Sequence, residues 1–453
     1  MKKKKKVKED LEIKFPKSAG IDIGATLMQV CIPSSLDANN NREFGTTTRE
    51  LWSIAAWLEK KGITHAAMEA TGVYWLPLFN LLTSRGINVV LLNAADIKNF
   101  TARKTDANDA EWLMTLMRYG LVKPSFQVDD QYRRLRNCVR HRTTLVSLCS
   151  DCIRRIQKCM EQMNIKLTSA ISDITGKSGI CIIEAILAGE RDPLILAAMA
   201  NKCKKSQAEI AASLEGTWDE EIIFIMEQHY EQYKHIRKQI ADLDPLMKGI
   251  IKDLAEKVVE ANQGVLKEVL PSNKKPPKKN KSSYITFDIE TLSVQIYGVN
   301  LMRIEGVNAV TVLSLMGELG GNFTDSFKDA AHFCSWCNLS PTDKISGGKI
   351  LSSHVKKRRN SVGQILRNCA QTLARTSTPL GSFYRRMRTK GGGKFAVCAL
   401  AHKLATIIYT MVKNKTEYEP SKVSITDKEW LERRIKLQQK SIQALKRQLA
   451  NCS

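Results

Sequence analysis

Two hydrophobic periods divide the chain. Up to residue 93, short β-branched runs alternate with segments of helical spacing. Ala19-Gly-Ile-Asp-Ile-Gly24 and Met28-Gln-Val-Cys-Ile32 predict two strands joined by a turn. Residues 48–61 predict an amphipathic helix, Thr64-His-Ala-Ala-Met-Glu-Ala70 a strand, 74–85 a helix, and Ile87-Asn-Val-Val-Leu-Leu-Asn93 a buried strand. Strands alternating with helices predict an α/β sheet. Another helix opens near residue 106.

From 129 the period becomes helical and long. Leu135, Val139, Leu145, Leu148, Cys152, Ile156, Cys159 and Met163 form one apolar stripe over 129–167. Residues 172–214 are less regular, with short helices such as 180–187. A second long helical stretch covers 220–260, interrupted at Pro245. Two long helices flanking an insert predict a helical hairpin or coiled-coil arm, suited to dimerisation or spacing. Pro271-Ser-Asn-Lys-Lys-Pro-Pro-Lys-Lys-Asn-Lys281 reads as a basic linker and a domain boundary. Beyond it, 301–311 reads as helix, tight turn, helix, with Gly306 and Asn308 supplying left-handed backbone, and 327–337 as a further helix. Residues 428–449 close the chain as an amphipathic helix rich in Gln and Lys.

Charge sharpens this outline. The 453 residues exceed one ordinary core, which predicts two or three domains. Lys and Arg number 70 against 46 Asp and Glu, a net charge of +24 that calls for an anionic partner. Between 344 and 416 there are 16 Lys or Arg and no Asp or Glu. Solvated faces normally mix both signs, so this window predicts a nucleic-acid surface, with Lys349, Lys356, Lys357, Arg358, Arg359, Arg367, Arg385, Arg386 and Arg388 as its contacts. The Lys-rich start, 1–17, reads as a disordered basic arm. No apolar run is read as approaching the roughly 20 residues that span a bilayer, so no membrane is expected and the location expected is cytoplasmic, near bacterial or archaeal DNA. Cys149/Cys152 and Cys334/Cys337 form two Cys-x-x-Cys pairs. Zinc would require them to converge or to recruit His332; their apolar setting favours buried free thiols.

The chemistry centres on Arg103-Lys-Thr-Asp-Ala-Asn-Asp-Ala-Glu-Trp-Leu113. Asp106 and Asp109, three apart, share one helix face, and Thr105 suits an N-cap. Alone, this equally describes a capped, solvated helix start. Asp22 stands inside a predicted buried strand, which is costly without a partner or metal, and Glu69 ends a neighbouring strand. In open α/β sheets sites form at strand ends. Asp22, Glu69, Asp106 and Asp109 can therefore form a carboxylate cluster, stable only around cations such as Mg2+ or Mn2+. Such ions assist phosphoryl transfer. Ser346 lies in Ile345-Ser-Gly-Gly-Lys349, which lacks the spacing of a Walker loop. A serine exposed by glycines among cations can attack a phosphodiester; it can equally be a turn residue.

The order Gly20-Ile-Asp-Ile-Gly24, Met68-Glu-Ala-Thr-Gly72, Arg103-Lys-Thr-Asp-Ala-Asn-Asp-Ala110, then Ser340-Pro and Lys344-Ile-Ser-Gly-Gly-Lys349, resembles the DEDD transposases of insertion sequences, also called bridge-RNA-guided recombinases. The resemblance runs from about 19 to about 405 and includes Leu187-Ala-Gly-Glu-Arg-Asp-Pro193. It implies an RNase H-like (RuvC-like) α/β domain over 18–128 and a helical coiled-coil middle over 129–262. After the linker, 263–283, it implies a mainly α-helical transposase domain over 284–416, with a C-terminal helix in 417–453. It places the metal-binding acids on Asp22, Glu69, Asp106 and Asp109 and the nucleophile on Ser346. It further implies a covalent phosphoserine link to DNA, donor and target DNA paired with a noncoding bridge RNA, and homodimers assembling into a tetramer. The usual Pro-Gly-x-Gly turn is here Glu305-Gly306-Val307-Asn308, and the usual Arg-Gly-Asn is Arg359-Asn360-Ser361.

Three other readings stand beside this one. A metal-dependent junction nuclease would use water and leave Ser346 structural. A non-catalytic nucleic-acid-binding protein would explain the charge but not an acid in a strand. A sugar-kinase-like fold would share the Asp-x-Gly of Asp22-Ile-Gly24 but gives no use for the basic window.

Overall fold

In the computed structural model the described residues are 12–70, 72–92, 109–122, 125–200, 203, 205–265, 267–272, 274, 278–279, 281–355 and 360–423, with 431–432, 435–436, 438–439 and 442–443 in the tail. Asp106, Lys356, Lys357, Arg358 and Arg359 lie outside them, as do Thr105 and the basic arm before residue 12. The chain forms two compact units, 1–127 and 128–453.

The first unit is built on a five-stranded sheet in the order β3-β2-β1-β4-β5. Its strands are β1 (Ser18–Ile23), β2 (Leu27–Cys31), β3 (Asn41–Gly45), β4 (His65–Glu69) and β5 (Asn88–Leu92). β1 to β3 form an antiparallel meander, and β4 and β5 run parallel to β1. Strand alternation sends Ile21, Ile23, Met28, Val30, Ala66, Met68 and Leu91 to one face. There they meet Leu51, Ile54 and Leu58 of helix α1 (Thr48–Lys60) and Leu78 and Leu82 of α2 (Trp75–Ser84) in one core. Helix α3 (Asp109–Arg118) covers the opposite face, where Leu113 and Met117 pack on Ala67 and Leu92, and Ala110 and Met114 on Cys31.

β3 was not among the predicted strands. Asn41-Arg-Glu-Phe-Gly45 carries one large apolar residue, and it joins the sheet through its backbone ladder to β2. Side chains reinforce it: Arg42 donates to Asp37 at 2.9 Å and its guanidinium lies 4.4 Å above the Trp57 ring.

The second unit opens with two long antiparallel helices, α4 (Asp130–Gln162) and α6 (Glu220–Ala261). Arg142 meets Asp244 while Cys152 meets Gln232, so early residues of one face late residues of the other. Their seam buries Leu145, Cys149, Cys152 and Ile156 against Tyr230, Tyr233, Ile236 and Ile240. Leu148, expected on the stripe, is instead 45% exposed, because Cys149 occupies the inward position. The insert adds α5 (Lys177–Leu187), whose Ile182, Ile183 and Ile186 enter the same core. The pair is therefore capped by its insert and shares one core with it. α6 runs through Pro245 rather than breaking there.

Beyond the linker the longer helices are α7 (Ile289–Tyr297), α8 (Ala309–Leu319), α9 (Ala330–Trp336), α10 (Ser361–Thr372) and α11 (Pro379–Asn414). An aromatic cluster centres this part: Phe323 lies 5.2 Å from Phe333, which lies 5.8 Å from Tyr409. Helix α8 packs on α4, where Arg140 grips Glu318 with two hydrogen bonds of 2.7 and 2.9 Å. Asn308 is extended (φ −129°, ψ 178°), not left-handed as expected; it caps α8 by accepting from the Thr311 amide at 3.0 Å. Gly306 does take a positive φ of 78°. The described linker residues are pinned to the body: Lys274 donates to the carbonyls of Ile304 and Val307 at 2.6 Å each, and Lys281 pairs with Asp173 at 2.9 Å.

Helix α11 bends at Gly392 (φ 80°, ψ 179°). Its later half is an apolar run that the sequence reading passed over. It is the one helix among the described residues long and apolar enough to cross a membrane, and half of its most apolar window is buried inside the protein. Cys149, Cys152, Cys334 and Cys337 are buried free thiols, and Cys334 contacts the Thr406 hydroxyl and the His402 carbonyl.

Candidate active site and nucleic-acid interface

The acids of the first unit are placed by strand register. Ile21 of β1 pairs in parallel with Met68 of β4, so the next residues, Asp22 and Glu69, stand side by side at the strand ends. Both alternate away from the core face that holds Ile21 and Met68, toward the face covered by α3. Asp22 is also opposite Gln29 of β2. Both acids are half-buried, whereas the sequence suggested a fully buried Asp22; the strand end leaves its carboxylate partly in water.

Gly20 sets where α3 can lie. A Cβ at Gly20 would come within 2.0 Å of the Ala110 carbonyl oxygen and 2.2 Å of the Met114 amide nitrogen. The helix backbone thus rests directly on β1, two residues before Asp22. Asp109, exposed, begins that helix one residue before Ala110. A carboxylate at a helix N-terminus is stabilised by the helix dipole. Strand ends and helix start therefore bring Asp22, Glu69 and Asp109 toward one edge of the sheet.

Glu111, one acid that sequence reasoning left out, belongs to the same first turn. Its charge reaches Cys31: burial, and then Glu111, push the Cys31 thiol up to about 11. The signal was available, since Asp109-Ala-Glu111 is acidic, but a spacing of two does not share a helix face with Asp109.

The donors fit a hard divalent ion, since Asp22, Glu69 and Asp109 all offer carboxylate oxygens. Among the described residues no three acid, His or Cys side chains converge closely enough to hold an ion by themselves. Asp106, the remaining acid of the expected set, lies outside them.

In the second unit Ser346 is not in an irregular loop. It ends strand β6 (Pro341–Ser346), which pairs antiparallel with β7 (Lys349–Val355). Gly347 and Gly348 form the two-residue turn with φ of 55° and 77°, the positive pair that matches a type I′ hairpin. Ser346 is paired with Lys349 across the turn, and both are exposed. Among the described residues, nothing lies within 4 Å of the positions where side chains on the two glycines would begin. This hairpin went unpredicted because polar residues and glycine hide the strand period.

The basic residues separate by task. Arg367 donates to the Asn338 carbonyl at 2.6 Å, and Arg385 to the Thr376 carbonyl at 2.6 Å and the Ser382 hydroxyl at 3.3 Å. These two brace the fold. Arg388 is exposed on α11, and Arg386 is half-buried close enough to Lys403 to help burial pull that lysine's pKa down.

Residues 19–165 match the IS110-type DEDD transposase family model, and 299–385 match the model of the IS116/IS110/IS902 transposase family. The chain belongs to the IS110 family of transposases. The first match spans β1 to α4, and the second includes the Ser346 hairpin. No curated relative matches the chain. The transposase is thus a DNA-acting recombinase, with an RNase H-like first unit and a helical second unit.

Proposed function

We propose that this transposase cuts and rejoins DNA through a covalent link to Ser346. The observation that carries the reading is the setting of Ser346: exposed at a hairpin tip, beside two glycines that leave room for a bulky phosphodiester, opposite Lys349, within a window that has no carboxylate. The Ser346 hydroxyl loses its proton and its Oγ attacks phosphorus. The Oγ–P bond forms, the P–O bond to the leaving strand breaks, and that oxygen takes up a proton. A hydroxyl of the second strand then attacks the phosphoserine, releasing Oγ and restoring one phosphodiester for each one broken. No water or external energy source enters the balance.

Asp22, Glu69, Asp106 and Asp109 would hold Mg2+ or Mn2+. Such an ion, when bound, stabilises charge on the attacking and leaving oxygens. The chain's own cations neutralise the phosphates on both sides of the scissile bond: Lys349, Lys356, Lys357, Arg358, Arg359, Arg386 and Arg388 hold backbone, while Arg367 and Arg385 keep the surface in shape. In this reading a noncoding bridge RNA pairs with donor and target DNA, and homodimers assemble into a tetramer. The 16 Lys or Arg and no Asp or Glu between 344 and 416 support a surface broad enough for both nucleic acids.

The test is covalent trapping. Full-length protein, RNA transcribed from flanking noncoding DNA, labelled donor and target DNA, and Mg2+ are mixed and resolved on denaturing gels. A protein-linked DNA band is expected, absent in Ser346→Ala, in Asp22→Asn and with chelator. Cleavage that persists in Ser346→Ala and disappears in Asp22→Asn would replace this reading with a water-using nuclease.

A further inference from the structure

The half of α11 that follows the bend at Gly392 is only partly used by the core, and nothing above assigns its outer face a role. Ala399, Lys403, Thr406 and Thr410 recur every three or four residues, so they share one side of the helix, and none of them is buried. With Phe383 and His402 they line a pocket of about 510 Å3. Mostly apolar walls with a few polar groups are the usual make-up of a ligand site. The polar groups here are of two kinds. Lys403 holds its ammonium 5.1 Å from the centre of the Phe383 ring. Burial and the neighbouring Arg386 both oppose that charge, a cost that an arriving anion relieves. Burial also keeps His402 below its ordinary pKa, so its ring is neutral at pH 7 and offers one donor and one acceptor. Glu417, an acid on the lining, is engaged by the fold: it accepts from the Asn300 amide at 3.0 Å and lies 3.5 Å from Arg303.

We propose that this pocket holds one unpaired nucleotide of the DNA substrate, its base against Phe383 and its phosphate at Lys403. Shape and charge select the occupant. A nucleotide is a flat ring with polar edges and an anion beside it, which matches an aromatic wall, a neutral imidazole and one ammonium set close together. The pocket's helix belongs to the stretch 344–416, which has 16 Lys or Arg and no Asp or Glu, so the strand's further phosphates meet no carboxylate of that stretch. An apolar protein side chain would use the walls but leave Lys403 without an anion. Taking a base out of its stack costs energy, which contact with an aromatic ring offsets. Cutting and rejoining strands takes bases out of their pairs, and a pocket that holds one fixes the strand while its partner is exchanged. The inference rests on the family's action on DNA and not on Ser346 as the nucleophile.

The experiment uses the full chain without divalent metal, so that no cleavage intervenes, and a mixed-sequence DNA duplex carrying one unpaired 5-iododeoxyuridine. Irradiation followed by mass spectrometry should find the base joined to Phe383 or His402. The same duplex with the iodinated base paired should give about tenfold less of this product. Joins only at other residues, an equal yield from the paired duplex, or no join at all overturns the proposal, as does a higher yield from the corresponding RNA. Thr410→Trp fills the pocket from an exposed helix position. It should cut the yield about tenfold while leaving thermal unfolding and the affinity for the fully paired duplex unchanged. An undiminished yield would also overturn the proposal. Lys403→Gln should reduce the salt dependence of binding to the unpaired-base duplex by about one phosphate contact, and an unchanged slope would remove the anion from the site and overturn it. Ser346→Ala should give the full yield, which keeps a failure of the pocket distinct from a failure of the serine chemistry.

Discussion

Arg142 and Asp244 form an ion pair of 3.1 Å with side chains only 4% and 2% exposed, joining the two long helices of the second unit. The remaining valences are filled. Arg142 donates to the Tyr284 carbonyl at 2.6 Å, and Asp244 accepts from the Thr286 amide at 3.0 Å. The pair thereby ties the segment after the basic linker to the helices before it. Asp244→Ala strands a buried guanidinium, and denaturant unfolding should show a loss of about 3–5 kcal/mol. Arg142→Met with Asp244→Leu should cost markedly less, since no charge is left uncompensated. Equal losses in both variants would count against the pair as the source.

Gly20 tests how α3 is seated. Gly20→Ala drives a methyl into backbone atoms of Ala110 and Met114, which cannot rotate away. Destabilisation of about 1–3 kcal/mol or more is expected, together with loss of strand cleavage as Asp109 is pushed from Asp22. Gly86→Ala, at φ 78° with open space around it, is the control. It should cost only about 1 kcal/mol and leave cleavage intact. The readouts are thermal unfolding and the trapping gel; comparable activity in both variants would refute this seating.

Asp37 makes the first unit sensitive to acid. Hydrogen bonds from Lys61 and from the Trp57 indole hold its carboxyl at about 2, against an ordinary value of about 3.9. A group whose folded pKa is depressed adds stability above its unfolded value and loses it as pH falls toward the folded one. Thermal unfolding followed from pH 5 down to pH 2 should therefore show this contribution lost between about pH 4 and pH 2. Asp37→Asn should unfold at a lower temperature at pH 5 and show a flatter acid profile. An unchanged profile would mean that Asp37 contributes nothing.

The turn beside Ser346 makes a conformational prediction. Both glycines sit at positive φ, so Gly347→Ala with Gly348→Ala forces two left-handed residues at roughly 1–2 kcal/mol each and should shift the register that sets Ser346 against Lys349. Covalent adduct formation should fall at least tenfold. Gly347→Asn alone keeps the type I′ preference and should retain most of the adduct. Stopped adduct kinetics in both variants would point to the glycines' small size, rather than their backbone angles, as the requirement.

Metal dependence separates the acids from the serine. Glu69→Gln should abolish adduct formation at every Mg2+ concentration, and Asp109→Asn should do so or raise the Mg2+ needed, as followed by titration on the trapping gel. Neither change should lower the melting temperature much, because Glu69 is half-buried and Asp109 exposed. A large fall in stability instead would mean that these acids serve the fold.

Sequence alone determined most of the periodic structure. Strands β1, β2, β4 and β5, helices α1 and α2, and the long helices α4 and α6 all carry periods set by burial on one face. The cation-only window and the order of the motifs were also legible, because charge and spacing do not depend on folding. Tertiary structure decided the rest. β3 joins the sheet through backbone hydrogen bonds that no side-chain pattern announces. The described side chains of the Ser346 hairpin are exposed from Pro341 to His354, so burial imprinted no period on them. Asn308 became a helix cap because α8 begins after it, and α6 continues through Pro245 because packing against α4 outweighs one missing hydrogen bond. The side-by-side placement of Asp22 and Glu69, 47 residues apart in the chain, came from the parallel register of β1 and β4. Register is fixed by which residues the opposite face must bury, and that is a property of the packed sheet.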